Sequence, residues 1–216
     1  MQYRIVPVTL FQQNCTILWD EHTLRGAVID PGGEIEEILA LVHAEGITLE
    51  KILVTHAHVD HAGQVWKLAK EQQLPIEGPH RDEQFWIDRL AKDAAKYAMP
   101  DVASFEPDRW LNDGDTVDVA GHTLQVFHCP GHTPGHVVFY VPEDKVAIVG
   151  DVIFQGSIGR TDFPRGNHAD LIHSIREKLW PLGNDVQFIS GHGPISTFGF
   201  ERQHNPYVAD SVLQNA

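Results

Sequence analysis

The amino-acid sequence predicts an α/β protein built as a four-layer αββα sandwich, in which two sheets pack face to face between outer helices. Two observations indicate this fold. Short β-rich segments are followed by amphipathic helical segments, and this order of strands then helices occurs twice along the chain. The same string of elements also fits a doubly wound α/β sheet, so the pattern favours the sandwich without excluding that alternative.

The first half of the chain contains one set of strands and helices. Apolar side chains at helical spacing predict helices over residues 35–42 and around Val65, and the charge-rich segment 81–97 also has a helical pattern. Apolar segments bounded by turn-forming residues predict strands over residues 3–10, 15–19, 27–29, 51–54 and 75–78.

The second half repeats this arrangement. A helix is predicted over residues 169–179 with Asn167 as its N-cap, and the tail from Thr197 is predicted to be helical in part. Strands are predicted over residues 116–119, 123–127, 137–141, 146–149 and 186–189. The sequence contains no internal repeat, low-complexity tract or linker, so we expect one domain over residues 1–216.

The composition is that of an acidic globular chain. Its 16 Lys+Arg against 30 Asp+Glu give a formal net charge of −14. This charge argues against nucleic acid as a partner, because nucleic acid requires a basic surface, and against attraction to a membrane. The two cysteines are too few for a disulfide framework, and the N-terminal segment lacks the features of a signal peptide. We expect a cytoplasmic location and a monomer.

The segment VTHAHVDHAG, residues 54–63, concentrates side chains that bind metals. Between the end of a predicted strand and the start of a predicted helix it places four such residues: His56, His58, Asp60 and His61. One tetrahedral metal would not draw four ligands from a single short segment. The segment therefore indicates two metal ions whose coordination is completed by distant ligands.

Three further segments supply such ligands, each just after a predicted strand. HCPGHTPGH contains His132, VAIVGDVIF contains Asp151, and FISGHGP contains His192. Each of these residues lies close to glycine or proline, and glycine lets the backbone approach a site closely. A carboxylate directly after an apolar strand is unfavourable without a partner, which gives Asp151 particular weight.

The motifs H-x-H-x-D-H, GHTPGH, GD and GHG occur in an order that resembles the metallo-β-lactamase superfamily, over nearly the whole chain. The resemblance implies the αββα fold and two metal ions bridged by Asp151. The side chains that it implies for one metal are His56, His58 and His132. Those that it implies for the other are Asp60, His61 and His192. Nitrogen and oxygen ligands without a thiolate suit two zinc ions, or iron or manganese in place of one or both.

The segment GRTDF, residues 159–163, is similar to glyoxalase II-like hydrolases and to persulfide dioxygenases of this superfamily, both of which act on glutathione-linked substrates. Antibiotic-degrading members lack the bridging aspartate, and RNA-processing members usually add a basic arm that this chain does not have. The resemblance implies a type II glyoxalase that hydrolyses the thioester S-lactoylglutathione to lactate and glutathione, a step of methylglyoxal detoxification. The alternatives are a mononuclear-iron persulfide dioxygenase and a metal-binding protein without catalytic activity.

The residues that contact the substrate are expected to differ from those of two-domain glyoxalase II enzymes. Those enzymes bind glutathione with a helical domain after the last histidine, where this sequence has a short tail. The candidates are Arg160, the loop around Arg165, the tail and the insert over residues 81–110. We favour Arg160, because a guanidinium pairs with a carboxylate through two hydrogen bonds. Asp60 is expected to orient the attacking water or to pass its proton to the leaving group.

Four residues near the motifs have simpler interpretations. Asp30 in DPGG is expected to orient a histidine, and His136 is expected to stabilise its loop by hydrogen bonding. Cys129 is expected to be a small buried side chain. Asp162 is expected to assist the substrate loop, to pair with Arg160 or to cap a turn.

Overall fold

The structure, a computed structural model, describes residues 1–214 and contains two large β-sheets. The first comprises β1 (Gln2–Val8), β2 (Gln13–Trp19), β3 (Arg25–Ile29), β4 (Thr48–Leu53) and β5 (Ile76–Glu77), adjacent in that order. The second comprises β6 (Thr116–Val119), β7 (His122–His128), β8 (Val137–Val141), β9 (Val146–Gly150), β12 (Gln187–Ser190) and β13 (Ser196–Thr197). Its spatial order is β13-β12-β9-β8-β7-β6. A short hairpin that the sequence patterns did not predict lies between β9 and β12, formed by β10 (Ile153–Phe154) and β11 (Ser157–Ile158).

The helices are short. They are α1 (Ile35–Ala44), α2 (Val59–Ala62), α3 (Val65–Gln72), α4 (Gln84–Ile87), α5 (Leu90–Lys96), α6 (His168–Ser174), α7 (Phe198–His204) and α8 (Asp210–Leu213). The helix predicted over residues 81–97 is wrong as a continuous element. It divides into a 3₁₀ turn (Arg81–Glu83), α4 and α5, and this path buries the side chains of Glu83 and Trp86. No helix among the described residues is long and apolar enough to cross a membrane.

Three apolar clusters define the layers. Side chains of both sheets meet in one cluster, which includes Leu18, Leu53, Phe139 and Ile148. The outer face of the first sheet packs on α1 and α3 through a cluster that includes Ile17, Ile52, Ile38 and Leu68. The outer face of the second sheet packs on α6 and α7 through a cluster that includes Val138, Phe188, Leu171 and Phe198. The predicted αββα sandwich is confirmed, and the doubly wound alternative, which has a single sheet, is excluded.

Burial on both faces explains why the central strands lack polar alternation. In β8, Val137–Val141 is buried throughout, with Phe139 directed to the other sheet and Val138 to the helices. β3 and β4 are parallel, as are β9 and β12, so each pair ends at one edge of its sheet. β7 runs in the direction of β9, because both are antiparallel to β8. The chain turns that carry the metal-binding motifs follow these strand ends.

The DPGG turn after β3 packs directly on the first turn of α2. A Cβ atom added to Gly32 would lie 1.5 Å from the carbonyl oxygen of Asp60, which is backbone and cannot rotate away. The N–H of Gln64 donates to the carbonyl of Pro31 at 3.2 Å, so the two segments are also tied together by a hydrogen bond. Glycine at position 32 therefore allows the approach that places Asp60.

We expect Gly32→Ala to lower the free energy of unfolding by about 1–3 kcal/mol, because the added methyl group has to separate two packed backbones. Urea unfolding followed by circular dichroism measures this difference. Gly33→Ala is the control, since its Cβ would be closest to the side-chain Cγ2 of Thr9, at 3.0 Å. Equal stability of the two variants would contradict this interpretation of the turn.

Candidate metal centre

The seven side chains predicted as metal ligands lie together where the strands of both sheets end. One group, whose ligand-type atoms lie within 4.8 Å of one another, consists of His56, His58 and His132. A second group with the same spacing consists of Asp60, His61 and His192. Both groups could hold a metal ion, and every predicted ligand except Asp151 belongs to one of them.

Asp151 lies between the two groups. Its Oδ1 is 3.2 Å from Nε2 of His61, which belongs to the second group. Its Oδ2 is 3.5 Å from Nε2 of His132 in the first group and 3.6 Å from Nε2 of His192 in the second. A single carboxylate therefore faces both groups, which is the position that a bridging ligand would occupy.

The local backbone explains how one short segment serves both groups. His58 is the extended residue that precedes α2, with φ −66° and ψ 150°. Asp60 and His61 belong to the first turn of α2, so they leave a helical backbone while His56 and His58 leave an extended one. The carboxylate of Asp60 lies 3.2 Å from Nε2 of His192.

Two of the histidines are oriented by backbone carbonyls. Nδ1 of His132 lies 2.8 Å from the carbonyl oxygen of Arg160, and Nδ1 of His192 lies 3.1 Å from that of Phe11. A carbonyl only accepts, so each Nδ1 carries the proton that it donates. The lone pair of each neutral imidazole is then on Nε2, the atom that faces Asp151.

Asp30 and Thr55 orient the other two buried histidines. Nδ1 of His61 donates to Oδ2 of Asp30 at 2.8 Å, as the sequence analysis predicted for Asp30. The hydroxyl of Thr55 donates to the same carboxylate at 2.5 Å and can therefore accept from Nδ1 of His56, 3.1 Å away. Both arrangements leave Nε2 as the free nitrogen of the ring.

These free atoms are suited to binding metal cations. Nε2 of His56, Nε2 of His61 and Oδ1 of Asp151 are buried and have no hydrogen-bond partner in the described part of the chain. Leaving a buried polar atom unpaired costs about 1–3 kcal/mol, so three at one place indicate that cations or protons lie between them. Nδ1 of His58 and Nε2 of His132 are 2.9 Å apart and face the same space. Nitrogen and carboxylate donors of this kind are the ligands of zinc and iron.

Burial and mutual repulsion keep the first group in the neutral form that binds metals. Burial, with His132 nearby, lowers the pKa of His58 to about 3, and burial also lowers the pKa of His132. His56 is fully buried beside His61, and its pKa lies well below the usual value. Burial opposes protonation of His61 as well, but the carboxylates of Asp151 and Asp60 outweigh it and raise its pKa.

The histidines of the second group therefore lie in the more negative environment, because the carboxylates of Asp60 and Asp151 face them. Complete burial would raise the pKa of Asp151, but His61 outweighs it and holds the pKa of that carboxyl far below its usual range. Asp60 behaves in the same way, since His61 and His192 outweigh the burial that would raise its pKa. Both carboxylates are ionised at neutral pH, as metal ligands have to be.

Glu83 is a buried carboxyl group that the sequence analysis missed. Its side chain is 0% exposed, and its two oxygens accept hydrogen bonds from Ala57 N–H at 2.9 Å and from Gly135 N–H at 2.8 Å. Ala57 lies between His56 and His58, and Gly135 lies three residues after His132. Glu83 therefore connects the two loops that carry the first group. In the sequence it lies in HRDEQFW, where nothing distinguishes it from a surface acid.

His136, Cys129 and Asp162 have the simpler roles predicted for them. Nε2 of His136 accepts a hydrogen bond from Asp151 N–H at 3.0 Å, and its ring stacks on His56 with 4.6 Å between centroids. Cys129 is completely buried. The guanidinium of Arg160 binds Asp162 through two hydrogen bonds of 2.7 Å and 2.6 Å.

Members of both groups line a cleft of about 870 Å³, together with Asp151: His58 and His132 from the first and Asp60 and His192 from the second. Aromatic side chains supply much of its wall: Phe11, Trp86, Tyr97, Phe154 and Phe163. Trp86 and Phe163 contact the ring of His58, with centroids 4.5 Å and 4.8 Å away. Arg160 also lines the cleft and lies 4.2 Å above the ring of Phe163. The cleft can therefore accept a small molecule with an extended, partly apolar body.

A further cluster, His80, Asp82 and His128, lies outside this cleft. Its two imidazole rings stack with an angle of 17° between their planes. Nitrogen lone pairs lie in the ring plane, so lone pairs of nearly parallel rings do not converge on one ion. His128 instead donates to the carbonyl of Pro134 at 2.9 Å.

Comparison with protein families gives one match that spans most of the chain. Residues 8–192 match the model of the metallo-β-lactamase superfamily. A curated relative from Haemophilus influenzae, the hydroxyacylglutathione hydrolase GloC, is 43% identical over 209 residues. The match covers 96% of this chain and 98% of that protein.

Two solved structures are similar over nearly their whole length. The BLEG-1 B3 metallo-β-lactamase is 34% identical with a TM-score of 0.88, and the match covers 96% of this chain and 99% of that one. TTHA1623 in a di-iron-bound form is also 34% identical, with a TM-score of 0.85 and coverage of 95% and 100%. The second structure contains two iron ions, so this fold accepts metals other than zinc.

Glu83 gives the stability of the protein a defined pH dependence. Burial raises its pKa from 4.5 to about 7, so the folded state binds this proton more tightly than the unfolded chain does. The resulting stabilisation is complete below the unfolded pKa and is lost as the pH rises through 7. Between pH 6 and pH 8 this group should lower the free energy of unfolding by about 1 kcal/mol.

We therefore expect the free energy of unfolding of the wild type to fall more between pH 6 and pH 8 than that of Glu83→Gln. Glutamine retains one acceptor oxygen and the shape of the side chain but does not titrate. Urea unfolding of both metal-loaded proteins at pH 6 and pH 8 measures this change in the free energy of unfolding. The contributions of all other titrating groups cancel when the variant is compared with the wild type. Parallel pH dependence of the two proteins would contradict the assignment.

Proposed function

We propose that this chain, which belongs to the metallo-β-lactamase superfamily, is a metal-dependent hydrolase of glutathione thioesters and that its substrate is S-lactoylglutathione. The observation that carries the proposal is the position of Asp151, whose carboxylate faces two complete ligand groups at one cleft. The 43% identity to the hydroxyacylglutathione hydrolase GloC supports the choice of substrate.

In this proposal two divalent ions bind at the centre, zinc first of all, with iron or manganese as alternatives. The ligands of one would be His56, His58 and His132. Those of the other would be Asp60, His61 and His192. Asp151 would contact both. When bound, two such ions polarise a carbonyl oxygen, stabilise a leaving thiolate and lower the pKa of a water molecule toward ~7.

The protein side chains then determine where the reaction takes place. Water adds to the thioester carbonyl carbon, the C–S bond breaks, and the thiolate of glutathione leaves with a proton. Asp60 is the residue placed to move that proton, because its carboxylate is ionised, lies at the cleft and contacts His192 at 3.2 Å. Trp86 and Phe163 restrict access of bulk water to the His58 side of the centre.

Arg160 is our proposed contact for a substrate carboxylate. Its side chain lines the cleft, and its backbone carbonyl orients His132. The same residue therefore contacts both the cleft and the first ligand group. Its Nε and Nη2 are used by Asp162. Nη1 is the nitrogen that the pair leaves for a glycyl or glutamyl carboxylate.

Two other activities are alternatives to the thioesterase. A persulfide dioxygenase would need a single iron and would consume oxygen. A β-lactamase activity is suggested by the similarity to the BLEG-1 enzyme, although the aspartate at position 151 argues against it. Both are distinguished from the thioesterase by their substrates, and a protein that only binds metal would consume none of them.

We expect the metal-loaded protein to release thiol rapidly from S-lactoylglutathione, and Asp60→Ala to lower kcat by about 10²-fold or more. A thiol-reactive chromophore follows the release, and metal content is measured on the same samples. Asp185→Ala is the matched control, because Asp185 is an exposed carboxylate that pairs with Lys145 away from the cleft.

Absence of thiol release from metal-replete wild-type protein would refute the substrate. An oxygen electrode with glutathione persulfide and a chromogenic cephalosporin would then test the two alternatives. Full activity of Asp60→Ala would refute the role of Asp60 while leaving the thioesterase proposal in place.

A further inference from the structure

One wall of the cleft carries a set of charged side chains that the proposed centre does not use. They are Arg89, Asp93 and Lys96, the last two in α5 and the first immediately before it. Asp93 lies between the two cations. Nε of Arg89 is 3.3 Å from its Oδ2, and Nζ of Lys96 is 2.5 Å from its Oδ1.

Helical spacing places this set on one face. Residues 89, 93 and 96 are separated by four and three positions, so their side chains are neighbours along one side of the helix. Lys92, although it is three residues from Arg89 and four from Lys96, is exposed and is not part of the cleft wall. Arg89 is held in place by aromatic rings, with its guanidinium carbon 5.0 Å from the ring of Phe85 and 5.3 Å from that of Trp86.

The charges of this set do not balance among themselves. Two cations share the single carboxylate of Asp93, so the set has capacity for one more anionic group. Arg160, by contrast, is matched one to one with Asp162. In a chain with a net charge of −14, two cations that converge on one carboxylate in the wall of a cleft are suited to an anionic ligand.

The distance between this set and the proposed centre matches the length of glutathione. The rings of Trp86 and His58 are 4.5 Å apart, and the guanidinium of Arg89 is 5.3 Å from the Trp86 ring. The guanidinium therefore lies within about 10 Å of the His58 ring. In glutathione, eight bonds separate the cysteinyl sulfur from the α-carboxylate carbon of the γ-glutamyl residue, a span of roughly 10 Å when extended.

We propose that Arg89, Asp93 and Lys96 bind the γ-glutamyl end of glutathione and so determine the specificity of this enzyme for glutathione thioesters. The two cations bind the α-carboxylate, and Asp93 binds the neighbouring α-ammonium. The γ-glutamyl end is the only part of glutathione that carries both charges on one carbon, and the cation–anion–cation set is complementary to it. The inference rests on the proposed thioesterase function.

The test compares two substrates. One is S-lactoylglutathione, and the other is S-lactoyl-N-acetylcysteinylglycine, which retains the thioester and the glycyl carboxylate but has an acetyl group in place of the γ-glutamyl residue. In the double variant Arg89→Ala, Lys96→Ala we expect the KM for S-lactoylglutathione to rise on the order of tenfold with kcat nearly unchanged, because the lost contact stabilises substrate and transition state equally. The KM for the truncated thioester should not change.

Lys92→Ala is the control, and it should behave as wild type with both substrates. Turnover of the truncated thioester shows whether a variant has a folded site. If the double variant fails to fold, the same comparison is made with the single variants Lys96→Ala and Asp93→Asn. An unchanged KM for S-lactoylglutathione in the variants, or an equal rise for both substrates, would overturn this inference while the thioesterase proposal stands. Absence of turnover of either substrate by the wild type would overturn the thioesterase proposal itself, and this inference with it.

Discussion

The position of the Asp151 carboxylate is the constraint on which the rest of the site depends. It lies within 3.6 Å of histidines from both ligand groups, and Oδ1 has no hydrogen-bond partner among the described residues. A buried carboxylate surrounded by imidazole nitrogens is stable only when cations or protons lie between them. Two sheets that bring their strand ends to one edge, and a glycine before Asp151, provide this geometry.

The support for these ligands comes from groups that are themselves buried. Asp30, Thr55 and two backbone carbonyls orient four histidines so that the same nitrogen of each ring is free. Glu83 joins the loops of His56 and His132 through two backbone N–H groups, at the cost of burying a carboxyl group whose pKa rises to about 7. Fixed orientation of this kind lowers the reorganisation required when a metal binds.

Much of the fold and of the ligand set could be predicted from the sequence, because both depend on short local patterns. The order of strands and helices and the position of His56, His58, Asp60 and His61 at a strand–helix junction are visible in the chain itself. Glu83 could not be predicted, because its burial arises from long-range contact with Ala57 and Gly135. The division of the segment 81–97 into short helices has a similar origin. The pairing of Arg160 with Asp162 was one of three alternatives, and only the folded loop distinguishes them.

In the proposed centre, seven side chains would hold two metal ions, one in each group. Anomalous diffraction from crystals of the zinc-loaded protein, recorded on both sides of the zinc absorption edge, tests it most directly. We expect two separate peaks in each chain. One should lie beside His56, His58 and His132, the other beside Asp60, His61 and His192, with Asp151 in contact with both. A single peak at full zinc loading, or peaks that do not contact Asp151, would contradict the account.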